Sequence, residues 1–275
     1  MKLEKIISWL DQTLKVSSFD DVSNNGLQVD RSVALSTQPP ALSTAHEVRT
    51  VAFAVDASVK AVEAAARAGA QLLIVHHGIS WGGGIKRIAG GIGNVVRAAI
   101  RNNLAIAAYH LPLDAHPTLG NNACLAKLLG LRKVKPAFSY HGNVIGLVGK
   151  LSNCRIVELS NRAEKVHESG ILGSLVQACI RRFDDSNDST ILTIGLCSGG
   201  AGEFAEEAQR LGCDFYLTGE ASWGDVIAAE NCGMKMLCLG HYATEVFGVR
   251  ALARAMRRAL KVKVVDLTET QKGEK

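Results

Sequence analysis

The sequence predicts an α/β protein made of two related lobes with mixed sheets. Strands and helices alternate along most of the chain, and two β-α-β segments repeat the same order. With 275 residues, of which 47% are hydrophobic, the chain can bury a large core. We predict an N-terminal lobe over residues 1–135 and a C-terminal lobe over residues 136–275. The second lobe carries a short insertion around 155–190, and the C-terminal helix is a candidate to pack on the first lobe.

The elements of the first lobe follow from apolar periodicity and from end signals. A helix at residues 1–14 has one apolar face, residues 20–29 are a polar turn leading into a short strand, and residues 30–47 form a loop. Ser58 or Asp56 caps an alanine-rich helix, and Gly130 stops the last one. The elements from there on are strand 51–55, helix 58–68, strand 72–77, helix 94–102, strand 104–109 and helix 121–129.

The second lobe is predicted in the same way, around a polar and irregular segment at 160–190. Its elements are strands 144–150 and 155–159, strand 191–197, helix 203–211, strand 214–218, a short helix at 225–230, strand 234–239 and helix 246–260.

The strand Leu72–Val75 ends abruptly in His76, His77 and Gly78. Neighbouring residues on a strand point to opposite faces, so the two histidines cannot converge on one ion without distortion. At a strand end, with Gly78 releasing the backbone, they can reach two neighbouring ions instead. The pair therefore indicates a two-metal site.

The repeat supplies further ligands. The first β-α-β segment ends at His76-His77 and the second at Gly219-Glu220, and each is followed by a helix and by a strand that ends in a histidine. Each of those histidines precedes a carboxylate by four residues. Strand carboxyl ends are where open α/β sheets bind ligands, so we expect a metal site in a crevice between the lobes. The candidate ligands are His76, His77, Asp114, His241 and Glu245, with His110 and His116 nearby.

This ligand chemistry suits zinc, iron, manganese, cobalt or nickel, and open coordination positions are typical of catalysis. Alternatives stay open for single residues: His110 as an ordinary hydrogen-bonded histidine, Asp114 as a turn residue and Glu245 as a helix N-terminal acid. Residues 198–202 favour a tight packing turn over a phosphate loop, because the lysine of a P-loop is absent. Trp81, before three glycines, is either part of a mobile substrate-contacting loop or a hydrophobic lid.

Composition restricts location and partners. No apolar run is long enough to span a bilayer, the first 14 residues lack a signal-peptide pattern, and the seven cysteines form no CxxC pair, so we expect a cytoplasmic protein with reduced thiols. The net charge is +5, and its basic cluster favours a solvated helix face over a nucleic-acid site. That cluster is Arg250, Arg254, Arg257, Arg258, Lys261 and Lys263.

Several motifs along the chain occur together: Val75-His76-His77-Gly78, residues 110–116, Gly120-Asn121-Asn122, residues 240–245, residues 25–29 and residues 216–220. This set resembles the Nif-three-like family, the dinuclear-metal, toroidal-hexamer group whose members often carry the name GTP cyclohydrolase I type 2. The resemblance implies two ions held by the five candidate ligands, with bridging carboxylates, in a homohexamer. Tyr242 departs from members that have a second histidine there.

The expected function is that of a metal-dependent hydrolase, with Glu220 or His110 as proton shuttle. The family resemblance implies that the substrate is a nucleotide or related heterocycle, with ring opening of GTP as a candidate reaction. The alternatives are a non-catalytic hexameric regulatory protein, for which the arginines at 250–258 are the residues to mutate, and a metal storage or delivery protein.

Overall fold

A computed structural model describes residues 1–31, 47–152 and 191–271. Most of the loop predicted at 30–47, the strand predicted at 155–159 and the insertion predicted around 155–190 lie outside the described residues. The chain forms two compact units, Met1–Leu119 with Gly248–Lys275, and Gly120–Phe247. The predicted lobe boundary between residues 135 and 136 stays a prediction.

The first unit holds a five-stranded mixed sheet in the order β1-β4-β3-β2-β10. Strand β1 is antiparallel to β4, and the other neighbours are parallel. The elements in chain order are α1 (Leu3–Leu14), β1 (Gly26–Val29), β2 (Thr50–Asp56), α2 (Val59–Arg67), β3 (Leu72–His77), α3 (Gly90–Arg101), β4 (Ala105–Ala108) and α4 (Leu111–Asp114), with β10 (Lys263–Asp266) near the C-terminus.

The central strands of this sheet are buried on both faces. Strands β2 and β3 are nearly continuous runs of buried residues, as expected for parallel strands covered by helices. Helix α1 buries Leu3, Ile6, Leu10 and Leu14 at helical spacing. Ser58 caps α2 by accepting a hydrogen bond from the Ala61 amide, which decides between the two predicted caps.

The second unit holds another five-stranded mixed sheet, in the order β5-β6-β7-β8-β9. Strands β5, β6 and β7 are antiparallel to one another, and β7, β8 and β9 are parallel. The elements are α5 (Asn121–Leu129), β5 (Arg132–Tyr140), β6 (Asn143–Ser152), β7 (Ile191–Cys197), α6 (Ala205–Arg210), β8 (Phe215–Thr218), α7 (Trp223–Asn231), β9 (Met236–Cys238) and the start of α8 (His241–Ala259). The residues of α8 from Gly248 onward belong to the first unit.

The predicted repeat is present in both sheets. Strands β2, β3 and β4 are parallel, sequential neighbours joined by α2 and α3, and strands β7, β8 and β9 are the same arrangement joined by α6 and α7. The predicted α/β class with mixed sheets is therefore confirmed. The strands added at the edges differ, since β1 and β10 flank the first set whereas β5 and β6 extend the second from the β7 side.

Three differences from the prediction affect the sheets and the candidate site. Strand β5 was not predicted, because residues 132–136 are basic, exposed and interrupted by Pro136. Strand β10 returns to the first sheet beside β2, after the predicted last helix. Helix α8 begins at His241 rather than near Val246, so His241 and Glu245 stand one turn apart on one helix face.

Among the described residues, no helix combines the length and apolar character that crossing a bilayer requires. Five of the seven cysteines lie in this part of the chain, and no disulfide joins any of these five to another.

Candidate metal centre

Three histidines of the first unit lie together at the carboxyl ends of β3 and β4. The ring centroid of His76 is 4.6 Å from that of His77 and 5.2 Å from that of His110, and the other two rings are 5.8 Å apart. One nitrogen from each ring lies within 4.8 Å of the others. This spacing is suited to metal binding, and it includes His110, which the sequence left outside the ligand set.

Each of the three rings is held through Nδ1 by an acceptor. The His76 Nδ1 is 3.0 Å from the carbonyl oxygen of Tyr109, the His77 Nδ1 is 2.8 Å from Asp56 Oδ1, and the His110 Nδ1 is 2.9 Å from Asp21 Oδ1. Carbonyl and carboxylate oxygens only accept hydrogen bonds, so Nδ1 carries the proton in each ring. The neutral form of each ring therefore has its lone pair on Nε2, the arrangement found in metal-ligating histidines.

A carboxylate faces the first of these lone pairs. The Asp114 Oδ2 lies 3.5 Å from His76 Nε2, and both side chains are buried. Two acceptors in the interior approach one another favourably only across a proton or a metal ion. Asp114 follows His110 by four residues in the sequence, and in the folded unit it contacts His76.

Asp21 is the more enclosed of the two carboxylates that orient the histidines. Its side chain is 2% exposed and accepts from His110 Nδ1, the Ser23 amide, the Asn25 side chain and the Leu111 amide. Burial acts to raise the pKa of Asp21, but the hydrogen bond and charge of His110 and the other donors outweigh it. The pKa therefore lies below its ordinary value, and the carboxylate is a fixed negative partner for His110.

Gly78 lets the chain leave β3 close to another side chain. A Cβ atom there would collide with the amide group of Gln28 and lie 2.6 Å from the Ala108 side chain. The Gln28 Oε1 accepts from the amides of Ile79 and Ser80 at 2.7 and 3.1 Å. The glycine is thus required by this close approach and not, as the sequence indicated, by backbone freedom alone.

The second unit carries a matching histidine–carboxylate pair at the start of α8. His241 Nδ1 lies 2.9 Å from Glu220 Oε1, and His241 Nε2 lies 3.1 Å from Glu245 Oε1. A neutral imidazole has one proton for these two carboxylates, so one of the contacts again needs an additional proton or a metal ion. Glu220 is exposed and Glu245 is 4% exposed, so Glu245 lies on the buried side of the ring.

Two glycines and a threonine fix this pair. Gly199, at φ +71°, has its Cβ direction filled by the Glu245 carboxylate, and a Cβ on Gly219 would lie 2.6 Å from Thr244 Oγ1 and 2.9 Å from His241 Cα. The Gly199 amide donates to Thr244 Oγ1 at 3.1 Å. Tight packing between the β7 and β8 ends and α8 therefore holds both side chains in place.

Three amides of the loop at residues 198–202 donate to side chains within the protein. Ser198 donates to Asn122, Gly199 to Thr244, and Ala201 to Thr218. These bonds favour the predicted packing turn over a phosphate-binding loop.

His116 lies apart from the metal-binding groups found among the described residues. Its Nδ1 accepts from the amides of Thr118 and Leu119 at 3.2 and 3.0 Å. Burial lowers its pKa below the ordinary value, which favours the neutral acceptor. It acts as a turn-stabilising residue in this unit.

Sequence reasoning missed the acceptors that orient the histidines. Asp56 was considered only as a helix cap, although it ends β2 directly opposite His77 in the parallel register. Asp21 is 89 residues from His110, and Tyr109 uses only its backbone oxygen. A carboxylate at the end of a strand next to a histidine-ending strand was the one available signal.

The donor set fits divalent metal ions. It consists of imidazole nitrogens with defined lone pairs, carboxylates facing two of them, and acceptors behind each ring, which together satisfy the ligand preferences of zinc, iron, manganese, cobalt or nickel.

Fold and side-chain clusters together define an α/β protein of two repeated units with histidine–carboxylate groups at its strand ends. The chain belongs to the Duf34/NIF3 (NGG1p interacting factor 3) family, whose model matches residues 1–272. This confirms the family resemblance drawn from the sequence motifs.

Named relatives cover nearly the whole chain. The GTP cyclohydrolase 1 type 2 homolog of Pyrococcus horikoshii is 36% identical over 265 residues, covering 96% of this chain and 97% of the relative. The homolog of the same name from Deinococcus radiodurans is 36% identical over 251 residues, covering 91% and 86%.

Solved structures of similar sequence have the same fold. The protein ybgI, whose function is described as unknown, aligns with a TM-score of 0.75 and 27% identity over 98% of both chains. The protein TTHA1606 from Thermus thermophilus aligns with a TM-score of 0.71 and 27% identity, covering 97% of this chain and 98% of the other.

Proposed function

We propose that this protein binds two divalent metal ions and is a metal-dependent hydrolase of a nucleotide or related heterocycle. The proposed ligands are the buried pair His76 and Asp114, the pair His241 and Glu245, and His77. The relatives named GTP cyclohydrolase 1 type 2 homologs support ring opening of GTP as the first reaction to test.

The observation that carries the proposal is that, in each unit, the Nε2 atom of a histidine faces a carboxylate oxygen. His76 Nε2 faces Asp114 Oδ2, and His241 Nε2 faces Glu245 Oε1, while acceptors behind Nδ1 retain the proton on the opposite side of each ring. One such pair is explained by a single protonated histidine. Two such pairs, one at the strand carboxyl ends of each unit, support two cation sites.

When bound, divalent ions lower the pKa of coordinated water towards neutrality and polarise an electrophile. The chain's own residues orient the ligands: Asp56 holds His77, and the Tyr109 carbonyl holds His76. His110, whose Nδ1 donates to Asp21, keeps Nε2 available to accept or return a proton beside the other two histidines. Glu220 can receive a proton from His241 Nδ1 and is exposed to solvent, which supports it as the second proton-shuttle candidate.

The test compares metal content and hydrolysis in matched variants of the full chain. We expect about two equivalents of divalent metal per chain by elemental analysis, and hydrolysis of at least one compound in a nucleotide panel that includes GTP, followed by chromatography and ultraviolet absorption. Asp114→Asn and Glu245→Gln each retain the shape of the side chain and remove a charge, so each should lower metal content and turnover together.

His141→Asn is the matched histidine control. His141 lies in the exposed turn between β5 and β6 at φ 47°, a conformation that asparagine tolerates, so metal content should not change. Absence of metal from the unaltered chain after incubation with each candidate ion would contradict the proposal. Two bound ions without turnover of any nucleotide would instead favour the non-catalytic metal-binding protein.

A further inference from the structure

Trp81 stands at the histidine cluster of the first unit and remains partly uncovered. Its ring centroid is 5.1 Å from that of His110, in an edge-to-face arrangement, and 6.1 Å from that of His77. The side chain nevertheless stays 38% exposed. An uncovered indole beside polar catalytic candidates is a surface on which a flat apolar group can bind.

The position of the indole is fixed from both sides. The Trp81 Nε1–H donates to the Gly78 carbonyl at 3.0 Å. The backbone on either side pairs with the segment before β1, since the Asn24 amide donates to the Ser80 carbonyl at 3.1 Å and the Gly82 amide to the Val22 carbonyl at 2.6 Å. The indole ring therefore has a fixed position and forms a preorganised wall. This differs from both interpretations made from the sequence, a mobile loop and a hydrophobic lid.

The chain beside the ring leaves room for a ligand. A Cβ atom added to Gly82, Gly83 or Gly84 would meet nothing within 4 Å. Gly82 and Gly84 have positive φ and need glycine for that reason, whereas Gly83 does not. At Gly83 neither backbone conformation nor crowding in this structure accounts for the missing side chain.

We propose that Trp81 is the specificity-determining residue that stacks against the planar ring of a heteroaromatic substrate, of the size of a purine base, and positions it beside His77 and His110. This inference deepens the proposed hydrolase function and rests on it. Stacking on an aromatic side chain requires only a flat π-face, so it selects for a base and is indifferent to phosphates. Trp81 would thus set affinity for the heterocycle without ligating a metal ion.

Intrinsic fluorescence gives a direct readout, because the chain has three tryptophans. In a Trp9→Phe, Trp223→Phe background Trp81 is the single emitter. With metal-loaded protein we expect guanosine and GTP to quench its emission saturably, and ribose 5-phosphate and inorganic triphosphate to leave it unchanged. If the double variant folds poorly, titration calorimetry on the protein with all three tryptophans can compare the binding of guanosine and GTP with that of ribose 5-phosphate and inorganic triphosphate.

Substitutions at the ring and beside it complete the test. Trp81→Leu should weaken guanosine binding about tenfold or more, Trp81→Phe should retain most of it, and Gly83→Ala should weaken it without lowering stability. Metal content should be unchanged in all three. Metal-loaded Trp81→Leu that binds guanosine as tightly as the unaltered chain would overturn the inference alone. Absence of metal binding by the unaltered chain, with stacking preserved, would overturn the proposed function alone.

Discussion

The carboxylate behind His77 offers the sharpest test of how the site is organised. Asp56 accepts from His77 Nδ1 at 2.8 Å, so it fixes the proton on Nδ1 and supports the positive charge that the ring gains when Nε2 binds a cation. Asp56→Asn keeps an oxygen that can accept the same hydrogen bond and removes only the charge. Asp56→Ala removes both.

Removing an acceptor behind a metal-bound histidine typically weakens metal affinity by about 10–100-fold. The Asp56 side chain is 49% exposed, so solvent screens its charge and the lower end applies. We therefore expect about tenfold weaker Zn²⁺ binding for Asp56→Asn, equivalent to about 1.4 kcal/mol, and a larger loss for Asp56→Ala.

Competition with a chromophoric chelator measures this affinity for Zn²⁺. Glu63→Gln is the matched charge control, because Glu63 is an exposed acid of α2 whose ion pair with Arg67 spans 3.8 Å on the surface. Its affinity should equal that of the unaltered chain. If both Asp56 variants bind Zn²⁺ as tightly as the control, His77 does not bind metal through the nitrogen opposite Asp56, and the reasoning from proton position is refuted.

Three other predictions follow from contacts within single units. Gly199→Ala drives a Cβ into the Glu245 carboxylate and should lower metal affinity more than Gly212→Ala, which has a similar positive φ but no neighbour within 4 Å; equal affinities would contradict this. Gln28→Ala removes the acceptor for two amides after β3 and should lower the free energy of unfolding by about 1–3 kcal/mol in urea denaturation, and an unchanged midpoint would count against it. Asp21 has a folded pKa below its ordinary 3.8, so its contribution is present above that value and lost as pH falls through the lower folded pKa. Asp21→Asn should therefore reduce stability at neutral pH and flatten the acid limb of the stability profile, and an acid limb identical to that of the unaltered chain would oppose this.

Local pattern was sufficient to predict much of the fold. The apolar run at residues 72–75 and the strand-helix alternation identified β3 and the repeat, because buried parallel strands and capped helices have strong short-range signatures. Strand β5 was not predicted from the sequence, because its pairing with β6, rather than its own basic and exposed residues, stabilises it. Strand β10 is four residues long and gains its partner β2 from more than 200 residues away in sequence.

The candidate site was predictable in residue type but not in its contacts. Spacing pointed to His241 and Glu245, and the earlier start of α8 places them one turn apart on one helix face. Spacing alone did not say which histidine Asp114 would contact, and the folded chain brings it to His76. The orienting contacts of Asp56 and Asp21 depend on strand register and on a pairing of distant segments, which a single sequence does not specify.

Anomalous X-ray diffraction from crystals soaked with Zn²⁺, recorded at the zinc absorption edge, tests the central claim most directly. We predict two peaks per chain, one about 2.0–2.1 Å from His76 Nε2 and one at the same distance from His241 Nε2, with Asp114 and Glu245 oxygens within coordination distance. Zinc-saturated crystals without peaks at these nitrogens, or with zinc bound only at surface histidines such as His141, would contradict the account.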